Sequence, residues 1–187
     1  MPVHTTAARL HYQHAFCALR DATCCPEPPE VVQAISDLAM AIDVSVGSAR
    51  AIAVVAAREH ILKSRSFQRA TTWVKHFREL GSDRKRTYLA AFPRRFEKTK
   101  TLLELARVCL STRCAQDLVD RYNPVVVLVD DKLYNAISHR RKIAESRVRE
   151  AHRRILIGLA DSLANYARVL LEKQPRRLRG ELLRLEK

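Results

Sequence analysis

The chain has 187 residues, with 34 Lys and Arg against 20 Asp and Glu, and a formal net charge of +14 at pH 7. Its length suits one domain with a buried core, and its hydrophobic fraction of 47% excludes a disordered chain. Four glycines and seven prolines exclude a collagen-like chain and leave little turn material for an all-β fold. No apolar run reaches about 18 residues and the first residues carry no secretory signal, so we expect no membrane span.

We predict an all-α fold that begins with an N-terminal helical arm, residues 1–28. Residues 5–20 have helical character, and the three prolines of residues 24–29 form a stiff connector that ends this first helix. Residues 29–172 are predicted to be a bundle of long amphipathic helices with basic faces. In this bundle the caps and apolar spacing predict helices over residues 29–42, 46–63 and 66–81, a short segment over 82–92, and a helix over 93–122.

The valine-rich segment 125–129 is the ambiguous element. Its β-branched run could be a buried strand, but no other segment has strand character, so we predict the buried start of a helix. Residues 130–172 contain no proline and one glycine, which predicts a helix of roughly 60 Å. Its predicted core face holds Ile137, Ala144, Val148, Ala151, Ile155 and Leu159. Pro175 ends it, and residues 173–187 form a basic C-terminal tail helix.

The positive charge is confined to three blocks of the sequence. Residues 63–100 hold 12 basic and 3 acidic side chains, residues 139–154 hold 7 and 2, and residues 173–187 hold 6 and 2. Arg outnumbers Lys 25 to 9, and the guanidinium fork suits phosphate oxygens. The blocks therefore predict a nucleic-acid-binding surface made of Arg65, Arg69, Lys75, Arg78, Arg84, Lys85, Arg86, Arg94, Arg95, Lys98, Lys100, Arg140, Arg141, Lys142, Arg147, Arg149, Arg153, Arg154, Arg176, Arg177 and Arg179.

Residues 35–52 resemble the helix-turn-helix of DNA-binding regulators. Asp43 stands where that family prefers glycine at the turn, and the second helix would present Ser45, Ser48 and Arg50, a set poor in side chains that read bases. An alanine-rich helical hairpin in a core explains the same residues. The family's packing positions are held by Leu38, Ala39, Ile42, Val44, Ala49 and Ile52.

No catalytic residue, metal or other cofactor is predicted. Asp130 and Asp131 follow the valine run like a carboxylate pair at a strand end, but acids at a helix N-terminus explain them better. His11, His14 and Cys17 could meet a metal, although partial burial explains them better, and Cys17 could form a disulfide with Cys24 or Cys25. Cys109 and Cys114 diverge on the predicted helix and do not chelate. The disulfide state of all five cysteines is left open.

The predicted function is structural: coating double-stranded DNA without sequence preference, by a protein that is not an enzyme. The basic helical chain, the arm before the connector at residues 24–29 and the low Asn and Gln content resemble the major capsid proteins of filamentous viruses of hyperthermophilic archaea. That resemblance implies self-association into a dimer or helical filament, with a paralogous subunit as an option, and location in a virion. The alternatives are a cytoplasmic, nucleoid-associated helix-turn-helix regulator or plasmid-maintenance protein, and an RNA-binding subunit of a ribonucleoprotein.

Overall fold

A computed structural model describes residues 37–187 and shows an α/β fold, so the all-α prediction is wrong. The predictions for the arm, the connector, His11, His14 and Cys17 lie outside the described residues. The described strands and α-helices are, in order, β1 (Leu38–Val46), β2 (Arg50–Arg58), α1 (Glu59–Leu62), α2 (Arg65–Ala70), α3 (Ser82–Lys100), β3 (Leu105–Cys109), α4 (Thr112–Tyr122), β4 (Val126–Val129), β5 (Lys142–Ala144), α5 (Ala151–Lys173) and α6 (Pro175–Leu185). Short 3-10 turns at Phe77–Glu79 and Glu145–Arg147 complete them.

The five strands form one mixed sheet in the order β3-β2-β1-β4-β5. β1 and β2 pair as an antiparallel hairpin, and β3 adds antiparallel to β2. β4 pairs parallel with β1, with Ile42 opposite Val129, and β5 pairs parallel with β4. β1, β4 and β5 therefore point the same way, and their carboxyl ends meet at one edge of the sheet.

The two faces of the sheet bury different side chains. Large residues of β1 such as Met40 and Ile42 pack with Val119 of α4 on one face. The alternate residues, including Ala41 on β1 and Ala53 on β2, face the other way and are mostly small. Small side chains let α5 lie close to this second face, where it contacts both strands of the hairpin.

Helix α5 is buried on all sides over its central turns. Every residue from Leu156 to Ala167 is buried, because the sheet covers one side and α3, α6 and residues 73–79 cover the rest. Aromatic contacts seal this layer: Phe92 of α3 lies 5.1 Å from the Tyr166 ring and 5.8 Å from Trp73, measured between ring centroids. No helix within residues 37–187 has the length and apolarity to cross a membrane.

The helix-turn-helix prediction is wrong, because residues 38–46 and 50–58 are the two strands of the hairpin. The helix predicted over 46–63 is replaced by β2 and the four-residue α1. These strands are buried on both faces and rich in Ala, so they lack the polar alternation that marks a half-buried strand.

The predicted 130–172 helix is also wrong over its first half. Residues 125–129 enter β4, a loop follows, β5 occupies Lys142–Ala144, and the helix begins only at Ala151. Arg140 and Arg147, predicted to lie on this helix, are instead in the loop before β5 and in the 3-10 turn Glu145–Arg147. Of the predicted core face, Ile137, Ala144, Val148 and Leu159 are buried, the first three outside any α-helix, whereas Ala151 is exposed and Ile155 is partly buried.

Two further helix boundaries differ from the predictions. A single helix, α3, runs through Pro93, and the region predicted as one helix over 93–122 contains β3 and α4 instead. Cys109 ends β3 and Cys114 lies in the first turn of α4, where their Cα atoms are 5.7 Å apart and their sulfurs form a disulfide. The helix predicted over 66–81 is also shorter: it is α2, which ends at Ala70 and has Ser64 as its N-cap.

Two glycines make a matched test of the packing around α5. A Cβ at Gly158 would lie 2.7 Å from Val74 Cγ1, whereas a Cβ at Gly180 of α6 meets nothing within 4 Å. We expect Gly158→Ala to lower the unfolding free energy by about 1 kcal/mol, because overpacking outweighs the helix propensity gained. Gly180→Ala should raise it by about 0.5–1 kcal/mol. Chemical denaturation of both variants measures the two effects, and equal changes would contradict the buried position of α5.

Candidate active site

Three carboxylates converge where the parallel strands end. Asp43 lies near the end of β1, Asp130 directly follows β4, and Glu145 directly follows β5. The backbone N–H of Asp130 donates to Ile42 O at 2.9 Å, which holds the second carboxylate beside the first. One oxygen from each of the three side chains lies within 4.8 Å of the others. Ligands of open α/β sheets bind outside the carboxyl ends of the strands, which is where this cluster stands.

The Asp43 carboxylate is the most confined of the three. Only 3% of the residue is exposed, and no side chain or backbone group of residues 37–187 donates a hydrogen bond to it. Burial, reinforced by the nearby charges of Asp161 and Asp130, raises the pKa of Asp43 to about 9. At neutral pH the carboxyl therefore holds its proton unless a cation takes its place.

The carboxylates of Asp130 and Glu145, unlike that of Asp43, accept hydrogen bonds from the protein. Asp130 Oδ1 accepts a hydrogen bond from the Lys132 N–H at 2.7 Å, and burial raises the pKa of the Asp130 carboxyl. Glu145 accepts a hydrogen bond from His76 Nε2 through Oε1. Its Oε2 lies 3.7 Å from the Arg78 guanidinium but is buried without a hydrogen-bond donor. Each side chain thus keeps one oxygen uncommitted to the protein.

His76 links two carboxylates of the site. Its Nε2 contacts Glu145, and its Nδ1 lies 3.2 Å from Asp161 Oδ2 without a well-aligned hydrogen bond. Asp161 first and Glu145 second raise the pKa of His76 to about 10, so the imidazole is positively charged at neutral pH.

Both carboxylate oxygens of Asp161 accept hydrogen bonds from neighbouring residues. Its Oδ2 accepts from the Phe77 N–H and its Oδ1 from Asn165 Nδ2, each at 2.7 Å. Asn165 Oδ1 in turn accepts from Ser45 Oγ at 2.8 Å. A buried polar chain therefore joins β1, α5 and the His76 segment, and Asp161 is a positioning residue rather than a fourth candidate ligand.

A cleft of about 490 Å³ borders this cluster. Glu145 belongs to both the cluster and the cleft, and His76, which contacts Glu145, also lines the cleft, whereas Asp43 and Asp130 do not. Arg78, Arg149 and Arg154 line it. Three arginines thus line the same cleft as Glu145, and arginines beside an acidic metal site suit the binding of a phosphate ester.

The donor set selects among metal ions. Asp43, Asp130 and Glu145 offer oxygen only, with no sulfur or imidazole nitrogen facing the cluster centre, and oxygen-only sites suit Mg²⁺, Mn²⁺ or Ca²⁺. Opposite ligands of Mg²⁺ stand about 4.2 Å apart, twice the metal–oxygen distance, so the separations here need only small side-chain adjustments.

The predicted nucleic-acid residues fall into two groups in the structure. Four are partly buried, and of these Lys142 donates to the carbonyls of Tyr134 and Ile137, Lys100 donates to the Arg184 carbonyl, and Arg153 pairs with Glu59. Lys85 is the fourth and lies over the Phe77 ring. The exposed ones are Arg65, Arg69, Lys75, Arg78, Arg84, Arg86, Arg94, Arg95, Lys98, Arg140, Arg141, Arg147, Arg149, Arg154, Arg176, Arg177 and Arg179.

Sequence reasoning missed the carboxylate site. The acidic pair Asp130 and Asp131 after the valine run did indicate a strand end, but it was interpreted as the N-terminus of a helix. Asp43 carried a signal as well: an acid at the end of a continuous apolar run. No sequence pattern marks Glu145 or His76 as site residues, because only the folded sheet brings them close to Asp43.

A scan of protein-family models finds no match for this sequence, and a search of curated proteins finds none either.

Replacing Asp43 with Asn tests the buried carboxyl. The folded-state pKa of about 9 exceeds the ordinary value of 3.8, so this group stabilises the fold below about pH 4, and the contribution is lost as pH rises towards 9. Asn carries no such titration. We expect the melting temperature of Asp43→Asn, relative to the wild type, to rise steadily between pH 5 and pH 8. Asp117→Asn, an exposed change on α4, should give a constant difference, and a constant difference for Asp43→Asn would contradict the assignment.

Proposed function

We propose that this protein is a divalent-metal-dependent phosphodiesterase that cleaves nucleic acid. The observation that carries the proposal is the convergence of Asp43, Asp130 and Glu145 at the ends of three adjacent parallel strands, with Asp43 buried and given no hydrogen-bond donor by residues 37–187. An uncompensated buried carboxylate costs stability, and a metal ion held by it is a chemical reason to keep it.

The chemistry follows from the donor set. In the proposed site the three carboxylates hold Mg²⁺ or Mn²⁺, and a bound metal polarises the phosphoryl oxygens and lowers the pKa of a water nucleophile. His76 and Asp161 keep Glu145 oriented towards the centre, as outer groups do for metal ligands. Arg78 and Arg149 on the cleft wall bind the phosphate and balance charge that develops on it.

The charge of the chain supports a polyanionic substrate. The net charge of +14 and the exposed arginines around the cleft attract nucleic acid regardless of sequence. A small phosphate ester needs only the cleft, whereas the exposed basic residues extend well beyond it. Nucleic acid is therefore the substrate class that uses both features.

DNA coating stays a prediction that rests on charge alone, and so does the RNA-binding alternative. The regulator alternative loses its motif, because residues 35–52 form the hairpin. A coat has no use for a buried carboxylate cluster beneath a cleft, which is why the phosphodiesterase is preferred.

Cleavage assays on the full chain test the proposal. Plasmid, single-stranded DNA and RNA are incubated with Mg²⁺ or Mn²⁺, and with EDTA. We expect cleavage that requires the metal and falls at least about 100-fold in Asp43→Asn and in Asp130→Asn, because metal ligation supplies several kcal/mol to the transition state. Mn²⁺ should also raise the melting temperature of the wild type and not that of Asp43→Asn.

The matched control is Asp117→Asn, which removes an exposed carboxylate from α4 on the opposite face of the sheet. It should keep wild-type cleavage. Tight binding of DNA without cleavage, and without any thermal shift from Mn²⁺, would overturn the phosphodiesterase and leave the coating prediction standing.

A further inference from the structure

One side of helix α3 carries a row of cations that the described fold does not use. Arg84, Arg94, Arg95 and Lys98 are all exposed, and none of the four side chains makes an ion pair or hydrogen bond within residues 37–187. At 3.6 residues per turn they occupy a sector of about 100° on the helix, beside the buried side. We call these four residues the α3 stripe.

The acidic residues of α3 do not neutralise the stripe. Asp83 and Glu97 lie about 20° and 60° beyond the Arg94 edge of the stripe, and no ion pair joins them to it. Some arginines elsewhere are paired, as in Arg58 with Glu104 and Arg168 with Glu172, but on α3 all four cations of the stripe lack an acidic partner within residues 37–187. A face that served solubility alone would mix the two signs. The stripe is therefore an unneutralised line of charge about 21 Å long, the rise of 14 helical residues.

The stripe begins on a part of α3 that packs against a segment lining the cleft. The N-terminal half of α3 packs on residues 73–79, the segment that brings His76 and Arg78 to the site: the Tyr88 hydroxyl accepts from the Lys75 N–H at 3.3 Å, and Lys85 Nζ lies 5.3 Å from the centre of the Phe77 ring. Six residues separate Arg78 from Arg84, a span of at most about 22 Å. The cations of the cleft and of the stripe therefore follow one another along the chain.

We propose that the α3 stripe binds the phosphate backbone of the nucleic acid outside the cleft and positions it for cleavage at the carboxylate cluster. The proposal deepens the proposed function and rests on it for the second half of that statement. At 3.4 Å per base pair along duplex DNA, a line of about 21 Å spans roughly six phosphates of one strand. The stripe contacts phosphate and not bases, so its binding is independent of sequence.

Binding is measured first, in EDTA, so that no cleavage occurs. Fluorescence anisotropy of labelled duplex and single-stranded 20-mers gives the affinity against salt for the wild type and for Arg84→Gln/Arg94→Gln/Arg95→Gln/Lys98→Gln. The variant should bind at least about tenfold more weakly at 100 mM salt, and its log–log salt slope should be smaller by about 3, because four counterion-releasing contacts are lost. All four side chains are exposed, so the melting temperature should stay close to that of the wild type.

A matched pair separates the stripe from net charge. Arg94→Gln/Lys98→Gln and Arg113→Gln/Arg121→Gln each remove two exposed cations, and the second pair lies on α4, across the sheet from the cleft. The α3 pair should weaken binding and the α4 pair should leave it within about twofold. Equal losses from both pairs would show that only net charge matters and would overturn the stripe.

Cleavage is then compared on two substrates with Mn²⁺. The fourfold variant should cleave DNA more slowly through a higher KM, yet hydrolyse bis(p-nitrophenyl) phosphate at the wild-type rate, because that small diester reaches the cleft alone. Wild-type DNA binding and cleavage by the variant overturns the stripe and leaves the phosphodiesterase intact. A wild type that hydrolyses neither substrate, with a variant that still loses DNA binding, overturns the phosphodiesterase and retains the stripe as a binding surface.

Discussion

Asp43 carries a carboxyl group into a sheet that is otherwise apolar, and the surrounding elements are arranged around that burial. The residue is only 3% exposed, and no donor within residues 37–187 hydrogen-bonds its carboxyl group, so the charged form is disfavoured there. The neighbouring strand ends add two more carboxylates instead of a cation. Such an arrangement is stable with a proton on Asp43 and becomes useful when a divalent cation displaces that proton. The free-energy cost of burying the Asp43 carboxyl group and the proposed metal chemistry of the site therefore have the same structural origin.

The segment between β2 and β3 supplies what the sheet lacks. It brings the His76 imidazolium between Glu145 and Asp161, and it packs α3 over the outer side of α5. Asp161 and Asn165 of α5 then tie this segment back to Ser45 on β1. Because α5 is buried on every side, these polar links work in a dry environment where each is strong and a missing one is costly. The segment between β2 and β3 is therefore part of the site.

Charge and burial could be predicted in part from the sequence, whereas the sheet could not. The basic blocks do form exposed surface, and Ile137, Ala144 and Val148 are buried as expected. The strands were missed because β1 and β2 are covered on both faces and contain many alanines, so large residues alternate with small ones rather than with polar ones, and the alanines favoured a helix. The valine run of β4 was recognised as strand-like but discarded, since its partner β1 looked helical. Asp43 and Glu145 meet only through that pairing.

An acidic centre inside a basic chain sets up a coupling between metal and nucleic acid. The carboxylates of Asp130 and Glu145 repel phosphate, while Arg78, Arg149 and Arg154 on the cleft wall attract it. Under the proposed function a cation at the cluster reverses the local sign, so nucleic acid enters the cleft more favourably when metal is bound. By linkage, nucleic acid must then tighten the metal by the same factor. Under the proposed role of the α3 stripe, surface binding escapes this coupling, because no carboxylate of residues 37–187 pairs with its cations. The two proposals together have the chain hold nucleic acid without metal and act on it only with metal.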